Sequence, residues 1–526
     1  MKITSLQDLY VTAQEYKAAL AQYEKHVTVC GGGGCVSSGC MAAQAAVLEG
    51  IKQAGLENKV GVTLTGCMGL CSQGPLLLVE PEGVLYVKVT PLMVEDIVRR
   101  HLKKGEVAEE FTYFDAKLQQ HIPLINDIPF FSEQVRIALR NCGKADFAAI
   151  ESYIALDGFQ ALHDALNMRR EDVIAQVKLS GLRGRGGGGF PTGRKWEAGF
   201  NAPGDQKYIV CNADEGDPGA FMDRALIESD PFALIEGMMI GAYAIGAAMG
   251  YVYIRAEYPI AVERLKGAIA TAKEWGLLGE NILGTDFSFD LEIRIGAGAF
   301  VCGEETALMH SVEGERGEPS QKPPFPFERG LFGCPTIINN VETFANIPAI
   351  LKHGGAWFAA WGIGESRGTK VFALAGDIVN SGLAEVPMGY PLGDLIYKVG
   401  AGISGNRKFK AAQIGGPSGG CITKENLNTP VAYESLARLG AIMGSGGLVV
   451  MSNDTCMVDT ARFFMDFICD ESCGKCVPCR IGTKRMLEIL EKITKGEGQE
   501  EDLLLVRELS ETIGETAMCG LGQTAP

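Results

Sequence analysis

What the chain lacks narrows it first. No positively charged segment followed by an apolar run and a small-residue cleavage site opens it. Export is therefore not expected, the thiols should stay reduced, and the expected compartment is the cytoplasm. Basic residues are in short supply, 48 Lys and Arg against 64 Asp and Glu, leaving a net charge of −16. That balance argues against non-specific nucleic-acid binding and suits an acidic protein with protein partners. Internal repeats and low-complexity tracts are missing. So is a membrane segment: residues 237–254 carry no charge, but Gly237, Gly241, Gly246 and Gly250 punctuate the run and residues 251–254 read as a strand. A buried helix packed on a sheet is the expectation there.

What is abundant is glycine, 68 residues in 526, and cysteine, 16. The glycines point to places where backbone must approach a ligand closely. At 526 residues the chain is too long for one core, and three to five domains are expected.

Helical and strand patterns alternate at the start: a helix over 6–23, a strand at 27–30, a helix over 41–54, then strands at 60–65, 76–79 and 85–89. Residues 1–102 thus read as a small thioredoxin-like α/β unit. A connecting arm with Pro123 and Pro129 occupies 103–150, a large α/β region 151–365, a short β-rich piece 366–430 and a mostly helical domain 431–526.

The cysteines group by spacing. Cys30 and Cys35 (C-x4-C) and Cys67 and Cys71 (C-x3-C) each follow a predicted strand, so their loops emerge at one end of a sheet. Four thiolates there suit a [2Fe–2S] cluster, with zinc or unlinked buried thiols as alternatives. The glycines at 31–34 are expected to aim backbone amides at the cluster sulfurs and raise its potential. Cys473, Cys476 and Cys479 in C-G-K-C-V-P-C-R, with Cys519 forty residues on, form the ligand pattern of a [4Fe–4S] cube. Cys40 reads as a bystander. Cysteines 142, 211, 302, 334, 421, 456 and 469 are mostly expected to be small buried hydrophobes.

Residues 180–196 read S-G-L-R-G-R-G-G-G-G-F-P-T-G-R-K-W, with G-x-G-x-x-G at Gly184, Gly186 and Gly189. The preceding residues, 171–179, look helical, so the Rossmann context fails. Bare backbone followed by Lys195 nevertheless suits a phosphate or a flat ring. Asn212, Asp214 and Glu215 lie at the end of a strand starting at Tyr208, where the ligand crevice of an α/β sheet is expected; a solvated acidic turn is the alternative.

Taken with Y-I-R-A-E-Y-P, C-N-A-D-E-G-D-P-G-A-F-M-D-R, G-A-F-V-C-G-E-E-T-A-L, K-P-P-F-P and I-N-N-V-E-T, these pieces stand in the order of a known family. From about residue 151 to Cys519 the sequence resembles the NADH-binding flavoprotein subunit of respiratory complex I and its soluble relatives. The first hundred residues resemble the thioredoxin-like ferredoxin domain of the companion subunit. Their fusion resembles the β subunits of NAD(P)-linked, electron-bifurcating iron-only hydrogenases.

The resemblance implies a Rossmann-like FMN/NAD domain, a small β-grasp (SLBB-like) domain and a helical bundle with a [4Fe–4S] cluster. It implies FMN over the glycine loop, lined by Gly184, Gly186, Lys195, Asn212, Asp214, Glu215, Gly303, Glu304, Glu305, Asn339, Asn340 and Thr343. NAD(H) would be held by Phe190 and Phe325, the latter stacked on adenine. Hydride would pass directly from nicotinamide to flavin, so no residue is expected to act as a catalytic nucleophile or acid–base. Gly188 and Asp217 depart from the alanine and glutamate of the pattern, and the shorter acid is expected to alter how nicotinamide sits or which coenzyme is preferred. Implied partners are a small thioredoxin-like [2Fe–2S] subunit, a large iron–sulfur catalytic subunit and ferredoxin. Close relatives continue past the position of Pro526 into a ferredoxin tail with further [4Fe–4S] clusters, and some hold zinc through a cysteine placed like Cys456. A diaphorase subunit without bifurcation and a non-catalytic iron–sulfur scaffold are the alternatives.

Overall fold

The computed structural model describes residues 2–405 and 407–526. Three main sheets organise the chain, each built where apolar runs of five or six residues meet. In the first, Lys25–Cys30 pairs in parallel with Val60–Thr65 and antiparallel with Leu77–Glu80, and Val84–Tyr86 closes the edge. Helix Cys40–Ala54 buries Cys40, Ala43, Val47 and Ile51, a single stripe at helical spacing. The helix Leu6–Ala21, capped by the Ser5 hydroxyl, does not join this unit. Its buried Leu9 and Ala13 pack into the core of the large α/β region, beside helix Ile150–Ala155. The unit expected over 1–102 therefore gives its first helix to a neighbour.

The second sheet is all parallel, in the order Thr336–Asn340, Tyr208–Ala213, Met249–Arg255, Asp290–Gly296. Helices cover it, so its central strands are continuous apolar runs: Ile209, Val210 and Cys211 are buried, as are Tyr251 to Ile254. The uncharged run becomes helix Pro231–Ile245 and strand Met249–Arg255. Gly237 and Gly241 admit close packing there. A Cβ on Gly237 would lie 2.2 Å from the Phe344 carbonyl oxygen, and one on Gly241 2.6 Å from Ile209. Among the described residues no helix is long and apolar enough to cross a membrane.

The third sheet has five strands, Gly382–Pro387, Thr369–Gly376, Gly447–Ser452, Phe409–Ile414 and Gly420–Thr423. Its middle strand corrects the boundary at 430: Gly447–Ser452 lies well inside the stretch expected to be helical. A run of six mostly buried residues has no period that separates strand from helix, and only its two neighbours settle the matter. This sheet shares one hydrophobic core with the first. Fully buried Lys370 on Thr369–Gly376 pairs with Glu342 on helix Val341–His353, tying it to the parallel-sheet region as well.

The arm 103–150 is ordered rather than loose. It forms the hairpin Tyr113–Asp115 and Gln120–Ile122, then docks on the third sheet. The completely buried carboxylate of Glu385 accepts the backbone N–H groups of Ile137, Ala138 and Leu139 at 2.9, 2.9 and 2.8 Å. Beyond the third sheet come helices Met457–Glu471, Lys484–Thr494, Glu500–Thr516 and Gly520–Thr524, with a π-wound turn at Pro478–Thr483.

Candidate functional site

The glycine run forms a loop closed on itself, Gly184 N–H donating to the Phe190 carbonyl at 2.9 Å. Gly187 and Gly189 have φ of 120° and 61°, which side chains resist. A Cβ on Gly186 would sit 3.0 Å from Asn340 Cβ, while Gly188 opens onto free space. Arg185, which the sequence did not single out, is wholly buried beneath the loop. Its N–H donates to Thr343 Oγ1 at 2.9 Å and its guanidinium to the carbonyls of Arg183 and Arg367. An arginine inside a run of glycines was the available signal.

Helix Thr192–Asn201 carries Lys195 to the same place. Its ammonium donates to the Ile338 carbonyl at 3.1 Å and lies 3.7 Å from Glu305. Burial pulls its pKa below the usual lysine value. Lys322 lies 2.5 Å from Glu305 and 3.0 Å from Glu304, so four charges alternate in sign across the pocket. Lys322 was also missed, although it opens the K-P-P-F-P piece. Glu304 further caps helix Glu305–Val312, accepting from Thr306 and Ala307 N–H.

Asn212 donates to the Gly303 carbonyl at 2.9 Å and accepts from Asp214 N–H, which joins the strand end to the 298–306 segment. The Asp214 side chain is 1% exposed, and its Oδ2 has no hydrogen-bond partner. Burial pushes its pKa up to about 7 despite Arg255 at 3.7 Å. Asp217 accepts from Ser445 at 2.8 Å, and burial lifts its pKa to about 6.

Other candidates face inward. Glu215 is buried and caps helix Met222–Ser229, accepting from Asp223 and Arg224 N–H. Asn339 accepts from Trp196 Nε1 at 2.9 Å, and Asn340 caps helix Val341–His353 while donating to Asp223 at 2.6 Å. With Thr343, these groups build the wall of the pocket. Phe190 and Phe325 are exposed, at 55% and 43%; Phe325 lies parallel to Phe327 with ring centres 5.6 Å apart. A bare-backbone cradle, a part-buried lysine and an orphaned carboxylate oxygen fit the isoalloxazine, phosphate and ribityl parts of FMN.

The cysteine quartets each surround a cavity. Cys30, Cys35, Cys67 and Cys71 enclose one with Gly32, Gly34 and Gly69, and Cys67 Sγ lies 3.7 Å from Cys71 Sγ. Mutual hydrogen bonds and burial raise the thiol pKa values of Cys30, Cys67 and Cys71 well above normal. Two of the glycine amides are committed elsewhere, correcting the expectation that they face the cluster: Gly31 N–H donates to the Thr65 carbonyl and Gly33 N–H to Glu228. Cys473, Cys476, Cys479 and Cys519 line the second cavity with Val301, Pro319 and Leu521. Among the described residues, no three His, Cys, Asp or Glu side chains gather as closely as a single ion requires. Of the scattered cysteines, 142, 211 and 302 are buried as expected, whereas Cys421 and Cys456 are exposed.

One segment joins the two sites. Residues 298–306 place Glu304 and Glu305 in the charged pocket and Val301 against the second cysteine cavity. Phe300 N–H anchors it to Glu471 at 2.8 Å, and Arg316 donates to the Cys473 carbonyl at 2.7 Å.

A glycine cradle beside a charged pocket, with the pocket sharing a loop with a four-cysteine cavity, is the arrangement expected of an iron–sulfur flavoprotein. Comparison with known proteins agrees. Residues 177–349 match the Nuo51 FMN-binding domain, and residues 459–526 match the NADH-ubiquinone oxidoreductase-F iron–sulfur binding region. The chain is 59% identical over 394 residues to the NADP-reducing hydrogenase subunit HndC of Solidesulfovibrio fructosivorans, covering 75% of this chain and 80% of that one. It is 46% identical to the F 2 subunit of the NADH-quinone oxidoreductase of Rhizobium meliloti (strain 1021), covering 74% and 93%. The fold matches the crystal structure of an NAD+-reducing [NiFe]-hydrogenase in the H2-reduced state, with TM-score 0.66, 29% identity and coverage of 99% and 86%. The chain belongs to the family of the NADH-quinone oxidoreductase F subunits and the related hydrogenase subunits. It is an NADH-dehydrogenase-type oxidoreductase module with an FMN-binding domain and a [4Fe–4S]-binding region.

Asp214 gives a pH test of the pocket. Its folded-state pKa is raised, so between the usual aspartate value and about pH 7 the folded chain binds the extra proton. Stability therefore falls as pH rises through that window, and asparagine removes the effect. In flavin-free protein, Asp214→Asn should gain melting temperature relative to wild type on going from pH 5 to pH 8. A gap that stays constant would contradict the burial of this carboxyl.

Proposed function

We propose that the chain takes hydride from reduced nicotinamide and delivers single electrons to partner subunits. Bound FMN supplies the conversion between two-electron and one-electron chemistry. On this reading Gly184, Gly186 and Gly188 admit the flat ring, Lys195 holds the phosphate, and Asp214 and Asn212 meet the ribityl hydroxyls. Asn339, Asn340, Thr343 and Glu215 fix the wall behind them. Phe190 and Phe325 offer exposed ring faces to the dinucleotide, with Lys322 and Glu305 beside them and Asp217 toward the nicotinamide. Cys473, Cys476, Cys479 and Cys519 hold the [4Fe–4S] cluster; Cys30, Cys35, Cys67 and Cys71 hold a [2Fe–2S] cluster in a thioredoxin-like unit. The observation that carries the reading is the 298–306 segment, which touches both the charged pocket and the second cysteine cavity.

The partners on this reading are a small thioredoxin-like [2Fe–2S] subunit, a large iron–sulfur catalytic subunit and ferredoxin, in the cytoplasm, with electrons bifurcated between NAD(H) and ferredoxin. Assaying the purified complex with NADH and ferredoxin separately and together tests this; full turnover with NADH alone would leave the simple diaphorase. That second reading draws support from the NAD+-reducing [NiFe]-hydrogenase matched over nearly the whole chain.

Phe325→Ala should weaken NADH binding by about 1–3 kcal/mol if its ring stacks on adenine. Titration of NAD+, which carries the same adenine but no hydride to give, into the oxidised complex measures it, and an unchanged affinity would move the adenine elsewhere.

A further inference from the structure

The loops carrying the N-terminal cysteines are held by a different part of the chain. Gly33 N–H donates to Glu228 Oε2 at 2.8 Å and Cys67 N–H to Ser229 Oγ at 2.7 Å. Arg264 donates from one side of its guanidinium to the Glu228 carbonyl and from the other to the Gly31 carbonyl, both at 2.7 Å. Its carbon centre lies 3.6 Å from the middle of the Phe147 ring. Glu228 and Ser229 are 2% and 0% exposed. The backbones touch directly, since a Cβ on Gly66 would lie 2.1 Å from Ser229 Cα. From the opposite side, Leu383 N–H donates to the Gly69 carbonyl at 2.8 Å and Arg136 to the Met68 carbonyl at 3.0 Å.

Glu228 and Ser229 end helix Met222–Ser229, whose first turn is capped by Glu215 from the flavin side. Eight residues of helix span about 12 Å. One short rigid element therefore has the flavin wall at its start and the cysteine loops at its end. A charge in such a buried place acts on an added electron far more strongly than it would in water. Glu228 also lies 3.7 Å from Arg224, while Arg264 holds its backbone carbonyl and reaches on to the cysteine loop.

We infer that Glu228 and Arg264 position the N-terminal cluster against the flavin module and set its reduction potential with opposite signs. The carboxylate disfavours the incoming electron, and the guanidinium favours it. The inference rests on the proposed reading of Cys30, Cys35, Cys67 and Cys71 as [2Fe–2S] ligands. It makes the docked helix end a determinant of where electrons come to rest.

The test is an electron paramagnetic resonance redox titration of the full chain after anaerobic reconstitution. Glu228→Gln keeps an oxygen for Gly33 but removes the negative charge; Arg264→Gln removes the positive one. The first should ease reduction of the two-iron centre and the second should hinder it, each by about tenfold in the equilibrium, or about 59 mV for one electron. Iron content and the [4Fe–4S] midpoint should stay at wild-type values. A merely structural contact would move both variants the same way. Shifts of like sign, midpoints unmoved in both, or loss of the two-iron signal from Glu228→Gln would overturn the inference. A wild-type chain with no two-iron signal at all would instead refute the [2Fe–2S] reading, and this inference with it.

Discussion

Alanine at position 195 is expected to cost the chain its flavin. Lys195 stands at the mouth of the glycine cradle, and burial already makes its charge expensive to hold. A buried phosphate left without this counter-charge loses about 3–5 kcal/mol, roughly a hundredfold to a thousandfold or more in affinity. Glu305 is not stranded by the change, because Lys322 lies 2.5 Å from it, so the loss should fall on the ligand rather than on the fold. Flavin fluorescence released from the purified variant, set beside its melting temperature, checks both halves. Full flavin occupancy together with an unchanged Michaelis constant for NADH would place the phosphate elsewhere.

Cys476→Ser is expected to remove one cluster and spare the other. The four cysteines of the C-terminal cavity come from a tight run and from a residue forty positions later, across helices Lys484–Thr494 and Glu500–Thr516. With only three thiolates left the cube should not be retained, and iron should fall from about six per chain to about two. The N-terminal quartet lies at the end of the first sheet, far along the chain and with its own clamps, so its signal should persist. Iron and sulfide analysis of the reconstituted variant measures this. An unaltered four-iron signal would contradict the assignment of Cys476.

Much of this was legible in the sequence because ligand chemistry imposes spacing. Both cysteine sets, the glycine run with its lysine, and the acids at the strand end could be named from their neighbours along the chain. Helix 171–179 and the division of the uncharged run into helix and strand followed from period and glycine placement. What escaped notice depended on partners distant in sequence. Strand Gly447–Ser452 is a strand because Thr369–Gly376 and Phe409–Ile414 flank it. The arm has no period because its order comes from Glu385, some 250 residues away. Arg185, Glu228 and Arg264 look like ordinary surface charges until burial and backbone carbonyls give them work. Asn339 and Glu215 were expected to line the flavin, yet their polar atoms bond to Trp196 and to the start of helix Met222–Ser229.

Hydride taken at the flavin pocket should leave as single electrons through the bound clusters. Adding NADH anaerobically to the reconstituted chain and following the flavin absorbance together with the paramagnetic signals of the clusters tests it most directly. The flavin should bleach and reduced iron–sulfur signals should grow in with it, in wild type but not in Lys195→Ala. Flavin that NADH leaves oxidised, or clusters that remain silent while the flavin is reduced, would contradict it.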